Sequence, residues 1–332
     1  MTALLATRLL PAHDAAVAEA ARCLAAGGLV AFPTETVYGL GADATNGQAV
    51  ARLYAAKGRP AFNPLISHIA EASAARALAR FSADAEQLAA KFWPGPLTLV
   101  LPKAANCPVA DLATAGLDSI AVRVPEHTVA HQILRTFGRP VVAPSANSSG
   151  HVSPTTADHV LADLRGRADL VIDGGSTPVG IESTIIACLG EPALLRPGGL
   201  PTDAIERVLG RALLRPDLEA QSDDAPLAPG MLASHYAPRT RVRLDAASVE
   251  PGEALLAFGP ILAPGAERAA RVLNLSPRGD LIEAAAKLFA YLRALDALNA
   301  PCIAAMPVPN DGLGEAINDR LVRAAAPRPV RL

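Results

Sequence analysis

Cations and small hydrogen-bonding side chains recur where predicted strands and helices end in the N-terminal part of the chain. The cations are Lys57, Arg59, Arg123 and Arg196, and the neutral groups are Thr36, Ser145, Asn147, Ser153 and Ser183. Several cations around one cavity repel each other unless an anion is present, and charge-assisted hydrogen bonds to phosphate are strong. If these side chains converge, they predict a site for a polyphosphate.

Three of these cations, and His68, also have a purely structural interpretation. Lys57 and Arg59 flank Gly58 at a predicted helix C-terminus, where cations satisfy the negative end of the helix dipole. His68 lies on a mostly apolar segment, where a histidine is more often a satisfied core residue than a catalytic one. Arg123 interrupts an apolar strand and is costly there unless an anion or a carboxylate meets it.

The stretch at residues 32–41 has the densest polar chemistry. A short buried strand is predicted at residues 29–31, and Pro33 is expected to end its ladder pairing. Residues 34–41 then contain threonines, a carboxylate, a tyrosine and glycines. This composition suits the ligand crevice of an α/β sheet, although a turn with satisfied threonine side chains is the alternative.

The loop at residues 144–150 follows a predicted strand and precedes a predicted helix. Ser153 and Pro154 are expected at the N-cap and first position of that helix, whose backbone N–H groups would attract an anion. The sequence contains neither Gly-x-x-x-x-Gly-Lys-Ser/Thr nor Gly-x-Gly-x-x-Gly. A phosphate site here would therefore be neither a Walker loop nor a dinucleotide fingerprint.

Apolar runs and helical patterns alternate along the chain and must bring these residues together. In the N-terminal part we predict a helix capped by Asp14, strands at residues 29–31, 63–69, 97–101, 120–124, 140–143, 183–186 and 194–196, and helices at 48–57, 82–92, 153–164 and 202–213. In the C-terminal part we predict strands at 241–244, 254–258, 272–275 and 302–306, and helices at 280–298 and 313–323. The helix at 280–298 is expected to bury Ile282, Ala285, Leu288, Phe289 and Leu292.

Length and pattern together predict two α/β domains. A chain of 332 residues exceeds the roughly 250–300 residues at which a single core stops growing. We expect a first domain at residues 1–213, a proline-containing linker at 214–239 and a small second domain at 240–332.

Composition narrows the classes of partner. The net charge of −2 and the 4% aromatic content disfavour a basic or stacking surface for nucleic acid, and no apolar run at the N-terminus is long enough to cross a membrane. Four cysteines lie far apart without a Cys-x-x-Cys, which argues against a zinc site or a disulfide framework. We therefore expect no protein-held metal, no membrane and a cytoplasmic location.

Several spaced motifs resemble the YrdC/Sua5 family of L-threonylcarbamoyladenylate synthases. They are Phe32-Pro33-Thr34-Glu35-Thr36-Val37-Tyr38-Gly39-Leu40, Lys57-Gly58-Arg59-Pro60, Asn63-Pro64-Leu65, and Ser145-Ala146-Asn147. The pieces Pro229-Gly230-Met231 and His235-Tyr236-Ala237-Pro238 resemble the linker of the two-domain Sua5 form. The resemblance implies a twisted mixed YrdC-like sheet with flanking helices, followed by a small Rossmann-like α/β domain.

The resemblance also implies a reaction and a set of substrates. L-threonine, bicarbonate and ATP would give threonylcarbamoyl-AMP and diphosphate, and the product would feed proteins that threonylcarbamoylate adenosine 37 of tRNAs reading codons that begin with A. ATP is thus a substrate. Mg²⁺ would be held mainly by its triphosphate, since the sequence shows no carboxylate cluster to cage the metal.

Family likeness assigns residues to the two substrates. ATP would be held by Arg59, Asn63, Ser119, Ser145, Ser153 and Arg196, and Tyr236 would fold over the nucleotide. Lys57 and Asn147 would lie at the phosphates. Lys57 and Arg59 are the expected catalytic residues. L-Threonine would be held by Thr36, His68, Arg123, Ala143 through its backbone, and Ser183.

Two other functions remain open from sequence. One is an RNA-binding module of YrdC type without adenylating activity, in which a basic cavity would hold RNA backbone. The other is a carbamoyl-adenylate enzyme of the hydrogenase-maturation type, although those proteins have additional zinc and acylphosphatase modules.

Overall fold

A ten-stranded mixed sheet forms the larger part of the protein. The computed structural model describes residues 6–216 and 236–326. The strands are β1 (Arg8–Pro11), β2 (Val30–Pro33), β3 (Tyr38–Asp43), β4 (Ile66–His68), β5 (Leu97–Pro102), β6 (Ser119–Arg123), β7 (Val141–Val142), β8 (Leu170–Asp173), β9 (Thr184–Ala187) and β10 (Ala193–Arg196). Their order is β1-β8-β2-β3-β7-β4-β6-β5-β9-β10, with parallel pairs such as β4 and β6 beside antiparallel pairs such as β5 and β6. The predicted mixed sheet is confirmed.

Helices cover both faces of this sheet. They are α1 (Asp14–Ala25), α2 (Gly47–Lys57), α3 (Ala83–Phe92), α4 (Thr128–Phe137), α5 (Ala157–Leu164) and α6 (Thr202–Leu209). Helices α1 and α4 pack on the face that contains Val30 and Phe32, whereas α2, α3, α5 and α6 pack on the face that contains Leu29 and Ala31. Successive residues of one strand thus belong to two different apolar clusters, because strand side chains alternate between the faces of the sheet.

Strands β1, β3 and β8 and helix α4 are absent from the sequence prediction. β3 contains Gly39 and Gly41, which weaken a strand pattern, but a Cβ at Gly41 would lie 2.7 Å from Phe32 Cε1. Glycine is needed there for packing, and β3 returns antiparallel to β2 with Pro33 paired to Tyr38. The pairing of β2 thus ends at Pro33, as predicted, although Pro33 itself still has a partner in β3.

Two predicted helix starts were also misplaced. α5 begins at Ala157, with Thr156 rather than Ser153 at its N-cap, because the Thr156 hydroxyl accepts the His159 N–H. The first helix is capped by His13, whose Nδ1 accepts from Ala16 N, and Asp14 is the first helical residue. Ser153 and Pro154 thus precede α5 and do not form its N-terminus.

A four-stranded parallel sheet forms the C-terminal unit. Its strands are β11 (Val242–Arg243), β12 (Ala254–Ala257), β13 (Arg271–Asn274) and β14 (Ile303–Ala305), in the order β11-β14-β12-β13, and its helices are α7 (Leu281–Asp296) and α8 (Leu313–Ala325). α7 buries Ala285, Leu288, Phe289 and Leu292 as predicted. Ile282 is 69% exposed, so its predicted burial was wrong; it lies in the first turn, ahead of the buried face that starts at Ala284.

The two units share an apolar interface. Val37, Val152 and Ile181 of the N-terminal unit belong to the same buried cluster as Phe289 of α7. Gly180 lies so close to α7 that a Cβ would come within 2.5 Å of Ala285 O, and its φ of +77° also favours glycine. The predicted domain boundaries remain predictions, and most of the predicted linker, including Pro229-Gly230-Met231 and His235, lies outside the described residues.

Helix length bears on membrane insertion. Across residues 6–216 and 236–326, none of the helices is both long and apolar enough to cross a bilayer.

An arginine-lined cavity between the two units

A tight turn between β2 and β3 presents the first polar groups. Thr34 Oγ1 accepts the N–H groups of Thr36 and Val37 and donates to Val37 O at 2.7 Å. The Thr34 and Thr36 hydroxyl oxygens are 2.8 Å apart. The turn is therefore held by its own side chains, as the alternative interpretation expected, and it also fixes the Thr36 hydroxyl at the site.

Arg123 ends β6 beside this turn. Its Nη2 donates to Glu35 Oε1 at 2.5 Å, its Nη1 to Thr36 Oγ1 at 3.0 Å and its Nε to Gly95 O at 3.2 Å. The carboxylate that a buried guanidinium requires is Glu35, whose role the sequence analysis missed although the cost of an isolated Arg123 pointed to such a partner. An arginine has five N–H donors, so two remain for another anion.

His68, at the end of β4, is paired in register with Arg123. Burial, with the neighbouring Arg123 charge, lowers the pKa of His68 to about 3. Its Nδ1 lies 3.1 Å from Ile66 O. At neutral pH His68 is an uncharged imidazole, able to exchange hydrogen bonds with a ligand without adding positive charge.

Arg59 follows the C-terminus of α2. Gly58 has a φ of +60° and ends the helix, as predicted, so the chain turns and carries Arg59 inward. Arg59 Nη2 donates to Asn63 Oδ1 at 2.6 Å and to Pro64 O at 3.0 Å, and its Nε donates to Asn63 O at 3.2 Å. Burial lowers the pKa of Arg59 to about 10, so the group stays cationic at neutral pH.

Lys57 does not line the cavity. Its ammonium donates to the backbone oxygens of Ser145 and Asn147, both at 2.5 Å, and burial, with the nearby Arg59 charge, lowers its pKa well below the usual range. Lys57 therefore ties α2 to the loop that contains Ser145. Asn147 Nδ2 donates to Ser148 O and His151 O at 2.8 Å, while its buried Oδ1 has no hydrogen-bond partner among residues 6–216 and 236–326.

Arg196 and Ser183 come from neighbouring segments at the far end of the sheet. Arg196 Nη2 donates to Ser183 O at 2.9 Å and contacts Ser183 Oγ at 3.3 Å. Ser183 Oγ lies 2.8 Å from Thr98 Oγ1. Burial lowers the pKa of Arg196, which indicates that the fold itself disfavours the charge it carries.

These side chains meet at one cavity between the units. Its wall consists of Thr36, Val37, Arg59, Ile66, His68, Arg123, Ala143, Pro144, Ser145, Glu182, Ser183, Arg196 and Tyr236. Asn63 supports Arg59 from behind, and Ser153 contacts the wall residue Glu182 with its hydroxyl at 2.5 Å. Ser119, at the opposite end of β6 from Arg123, is outside this wall. Sequence reasoning also missed Glu182, which no pattern in the sequence marks.

Carboxylates and histidines do not cluster at the cavity. In the part of the chain that the structure describes, no group of three or more His, Cys, Asp or Glu side chains could hold a metal ion. Glu182 accepts from Ser153 and Arg320, and Glu35 accepts from Arg123. Both acids are thus engaged by the protein's own donors.

The fold and the cavity define a two-domain α/β protein of YrdC-like class, with cations from distant segments gathered at one site. Residues 22–198 match the Sua5–YciO–YrdC family model, described as telomere recombination. Residues 201–326 match the model described as the C-terminal domain of threonylcarbamoyl-AMP synthase. The chain belongs to the Sua5/YrdC family, in its two-domain Sua5 form.

Two relatives and one crystal structure give the degree of similarity. The chain is 44% identical to the threonylcarbamoyl-AMP synthase of Pyrococcus abyssi, over 92% of this chain and 93% of that protein. It is 41% identical to the Bacillus subtilis enzyme of the same name, over 97% and 96% of the two chains. The crystal structure of P. abyssi Sua5 complexed with L-threonine superposes with a TM-score of 0.87, at 40% identity, over 96% of this chain and 98% of that one.

Proposed function

We propose that this protein joins L-threonine, bicarbonate and ATP into threonylcarbamoyl-AMP and diphosphate. The observation that carries the proposal is that Arg59, Arg123 and Arg196, from three distant segments, line one cavity. The relatives named threonylcarbamoyl-AMP synthase match nearly the whole chain, which supports transfer of their activity.

The chemistry needs positioning more than proton transfer. The threonine amine and bicarbonate give a carbamate with loss of water, and the carbamate oxygen attacks the α-phosphorus of ATP as diphosphate leaves. Since the carbamate is already an anion, the phosphoryl step needs no dedicated base. Cations and fixed hydroxyl groups around the reacting atoms supply orientation and charge neutralisation, which suits the cavity wall.

Threonine fits the end of the cavity near the β2–β3 turn. Arg123 retains two N–H donors after its contacts with Glu35, Thr36 and Gly95, enough to grip a carboxylate bidentately. The other proposed threonine contacts are Thr36, His68, Ser183 and the backbone of Ala143. The neutral His68 and the hydroxyl groups suit the threonine hydroxyl and amine.

ATP fits the end near Arg59 and Arg196. Its proposed contacts are Arg59, Asn63, Ser119, Ser145, Asn147, Ser153, Arg196 and Tyr236. Lys57 acts here by holding the loop of Ser145 and Asn147 in place, since its ammonium already contacts their carbonyl groups. Mg²⁺ carried by the triphosphate supplies further charge neutralisation when bound.

The product is a reactive mixed anhydride and calls for a second protein. We propose that it is passed to a tRNA threonylcarbamoyl transferase that modifies adenosine 37, and that both steps take place in the cytoplasm. The low aromatic content and the net charge of −2 favour transfer through the small molecule rather than direct binding of tRNA.

Omission of single substrates tests the proposal. We expect diphosphate release from Mg-ATP to require L-threonine and bicarbonate together, and mass spectrometry to detect threonylcarbamoyl-AMP. Diphosphate release that is independent of threonine would overturn the proposal. Salt-dependent binding of single-stranded or duplex RNA without diphosphate release would favour the RNA-binding alternative.

A further inference from the structure

Helix α8 of the C-terminal unit sends one charged side chain to the wall of the cavity. Arg320 is completely buried, which is rare for an arginine. Its Nε donates to Glu182 Oε2 at 2.9 Å and its Nη1 to Asp319 Oδ2 at 2.6 Å. Two carboxylates therefore compensate the guanidinium, so that it can remain charged in the interior.

Glu182 links Arg320 to a residue of the proposed ATP site. One carboxylate oxygen accepts from Arg320, and the other accepts from Ser153 Oγ at 2.5 Å. Burial alone would raise the pKa of Glu182, but the charges of Arg320 and Arg196 outweigh it and lower that pKa. Ionised Glu182 is an acceptor only, so it fixes the direction of the Ser153 hydroxyl proton.

Tyr236 is held between two residues of the same C-terminal unit. Its ring stacks on Phe289 of α7, with centroids 5.5 Å apart and planes at 28°, and Arg320 Cζ lies 5.1 Å from its centroid. Tyr236 has a φ of +62°, an uncommon conformation for a residue other than glycine. Tertiary contacts must maintain such a backbone, and the stacked ring and the guanidinium are two of them.

The interface gives α7 and α8 little freedom to shift relative to the cavity. Val179 N and Gly180 N donate to Glu35 O and Thr36 O, at 2.9 and 3.1 Å. Gly180 in turn packs directly on the backbone of α7 at Ala285 and Ala286. The strand-end turn and the C-terminal helices are therefore parts of one close-packed body.

We propose that Arg320 is a positioning residue of the active site, through which the C-terminal unit fixes both Glu182 with its bonded Ser153 and the ring of Tyr236 on the nucleotide side. The proposal rests on the assignment of ATP to that side under the function proposed above. It gives the C-terminal unit a defined share in nucleotide binding. Arg320 itself lies behind the cavity wall and contacts the wall residues Glu182 and Tyr236.

Calorimetric titration with ATP separates this role from a general role in stability. We expect Arg320→Met to raise the dissociation constant for ATP by about tenfold or more, because misplacement of binding groups has effects of this size. The dissociation constant for L-threonine should change by less than about twofold, because Arg123 and its partners stay in place. Arg320→Lys keeps the charge but loses the planar contact to Glu182, and it should give a smaller loss of the same kind.

Glu315→Gln is the matched control on the same helix. Glu315 also joins the units, accepting from Thr202 Oγ1 at 2.6 Å and pairing with Arg215 at 2.5 Å, but it is outside the cavity wall. We expect its ATP affinity to equal that of the unchanged protein. An equal loss in Glu315→Gln would assign the effect to domain docking and overturn the proposal.

A double-mutant cycle with Tyr236→Ala tests the coupling directly. If Arg320 acts partly through Tyr236, the two effects should not be additive. The dissociation constant of the double variant for ATP should then exceed that of the weaker-binding single variant by less than about threefold. The proposal would be overturned if the double variant lost ATP affinity by the product of the two single losses. It would also be overturned if Arg320→Lys bound ATP as the unchanged protein does. Failure of the unchanged protein to release diphosphate would instead count against the proposed function, because ATP binding is measured without turnover.

Discussion

The two ends of the cavity hold their arginines in different ways. Arg123 is paired with a buried carboxylate, Glu35, at 2.5 Å, and both side chains are almost fully enclosed. Arg59 is equally buried, but its bonds go to the oxygens of Asn63 and Pro64, and the described residues place no carboxylate within ion-pair distance of it. One end is thus neutralised by the protein, whereas the other keeps a positive charge.

Under the proposed function, this difference would let one cavity sort two substrates. Under the proposed function, L-threonine at the Arg123 end would meet a guanidinium that is already oriented, so its carboxylate would be recognised by geometry more than by net attraction. At the Arg59 end, the fold lowers the pKa of the arginine through burial, and the triphosphate of the proposed ATP substrate would relieve that cost. Charge compensation, rather than the number of cations, therefore separates the two ends.

The largest expected effect is on stability at the neutralised end. Arg123→Ala leaves Glu35 buried and unpaired, and we expect a loss of about 3–5 kcal/mol in the free energy of unfolding. Urea denaturation with an unchanged m-value would measure it. The double variant Arg123→Ala with Glu35→Gln should recover part of the loss, because no charge then remains buried. An Arg123→Ala protein as stable as the unchanged one would contradict the comparison.

At the charged end, the larger effect should fall on activity. Arg59→Ala should lose at least about 2 kcal/mol of transition-state stabilisation, or about 30-fold in kcat/KM for ATP. Its free energy of unfolding should fall less than that of Arg123→Ala, since no carboxylate is left unpaired. Arg207→Ala is the control, because Arg207 is exposed and pairs with Asp203 at the surface. Near-normal kcat/KM in Arg59→Ala would remove this residue from the site.

A third expected effect is a pH dependence of stability that comes from His68. The His68 imidazole has a pKa of about 6.5 in the unfolded chain and about 3 in the folded protein. Between these pH values the unfolded chain binds the extra proton, so acid favours unfolding. Stability should fall as the pH falls, and His68→Asn should flatten the curve by up to about 1.4 kcal/mol per pH unit. Denaturant midpoints from pH 7 to 4 would measure it.

His159→Asn is the matched control for the His68 experiment. Burial lowers the pKa of His159 to about 4, so its loss should flatten the stability curve in the same direction. His68→Asn should also weaken threonine binding, because His68 is a proposed threonine contact, whereas His159 is outside the cavity wall and its variant should leave that binding unchanged. If both variants alter threonine binding alike, the neutral state of His68 has no special role at the Arg123 end.

Sequence reasoning succeeded where local chemistry fixes the outcome. Gly58 ends α2 in a left-handed conformation, as predicted, and Ser82 caps α3 at the start of the helix predicted at residues 82–92. It failed where packing overrides propensity, as in β3, where Phe32 and Val141 leave no room for a side chain at Gly41. α4 was missed although Val129, Ala130, Ile133 and Leu134 follow helical spacing. Ser153 was placed at a helix start, but its hydroxyl is bonded to Glu182 instead.

By itself the sequence determined the family, the alternation of strands and helices, and the cations and hydroxyl groups available to a polyphosphate and an amino acid. Only the tertiary structure decided which arginine is neutralised, that Lys57 supports a loop instead of facing the cavity, and that Arg320 reaches the site from the other unit. The physical reason is that strand ends and helix caps depend on neighbours within a few residues. Charge compensation depends on contacts such as Glu35 with Arg123 and Glu182 with Arg320, whose partners are 88 and 138 residues apart.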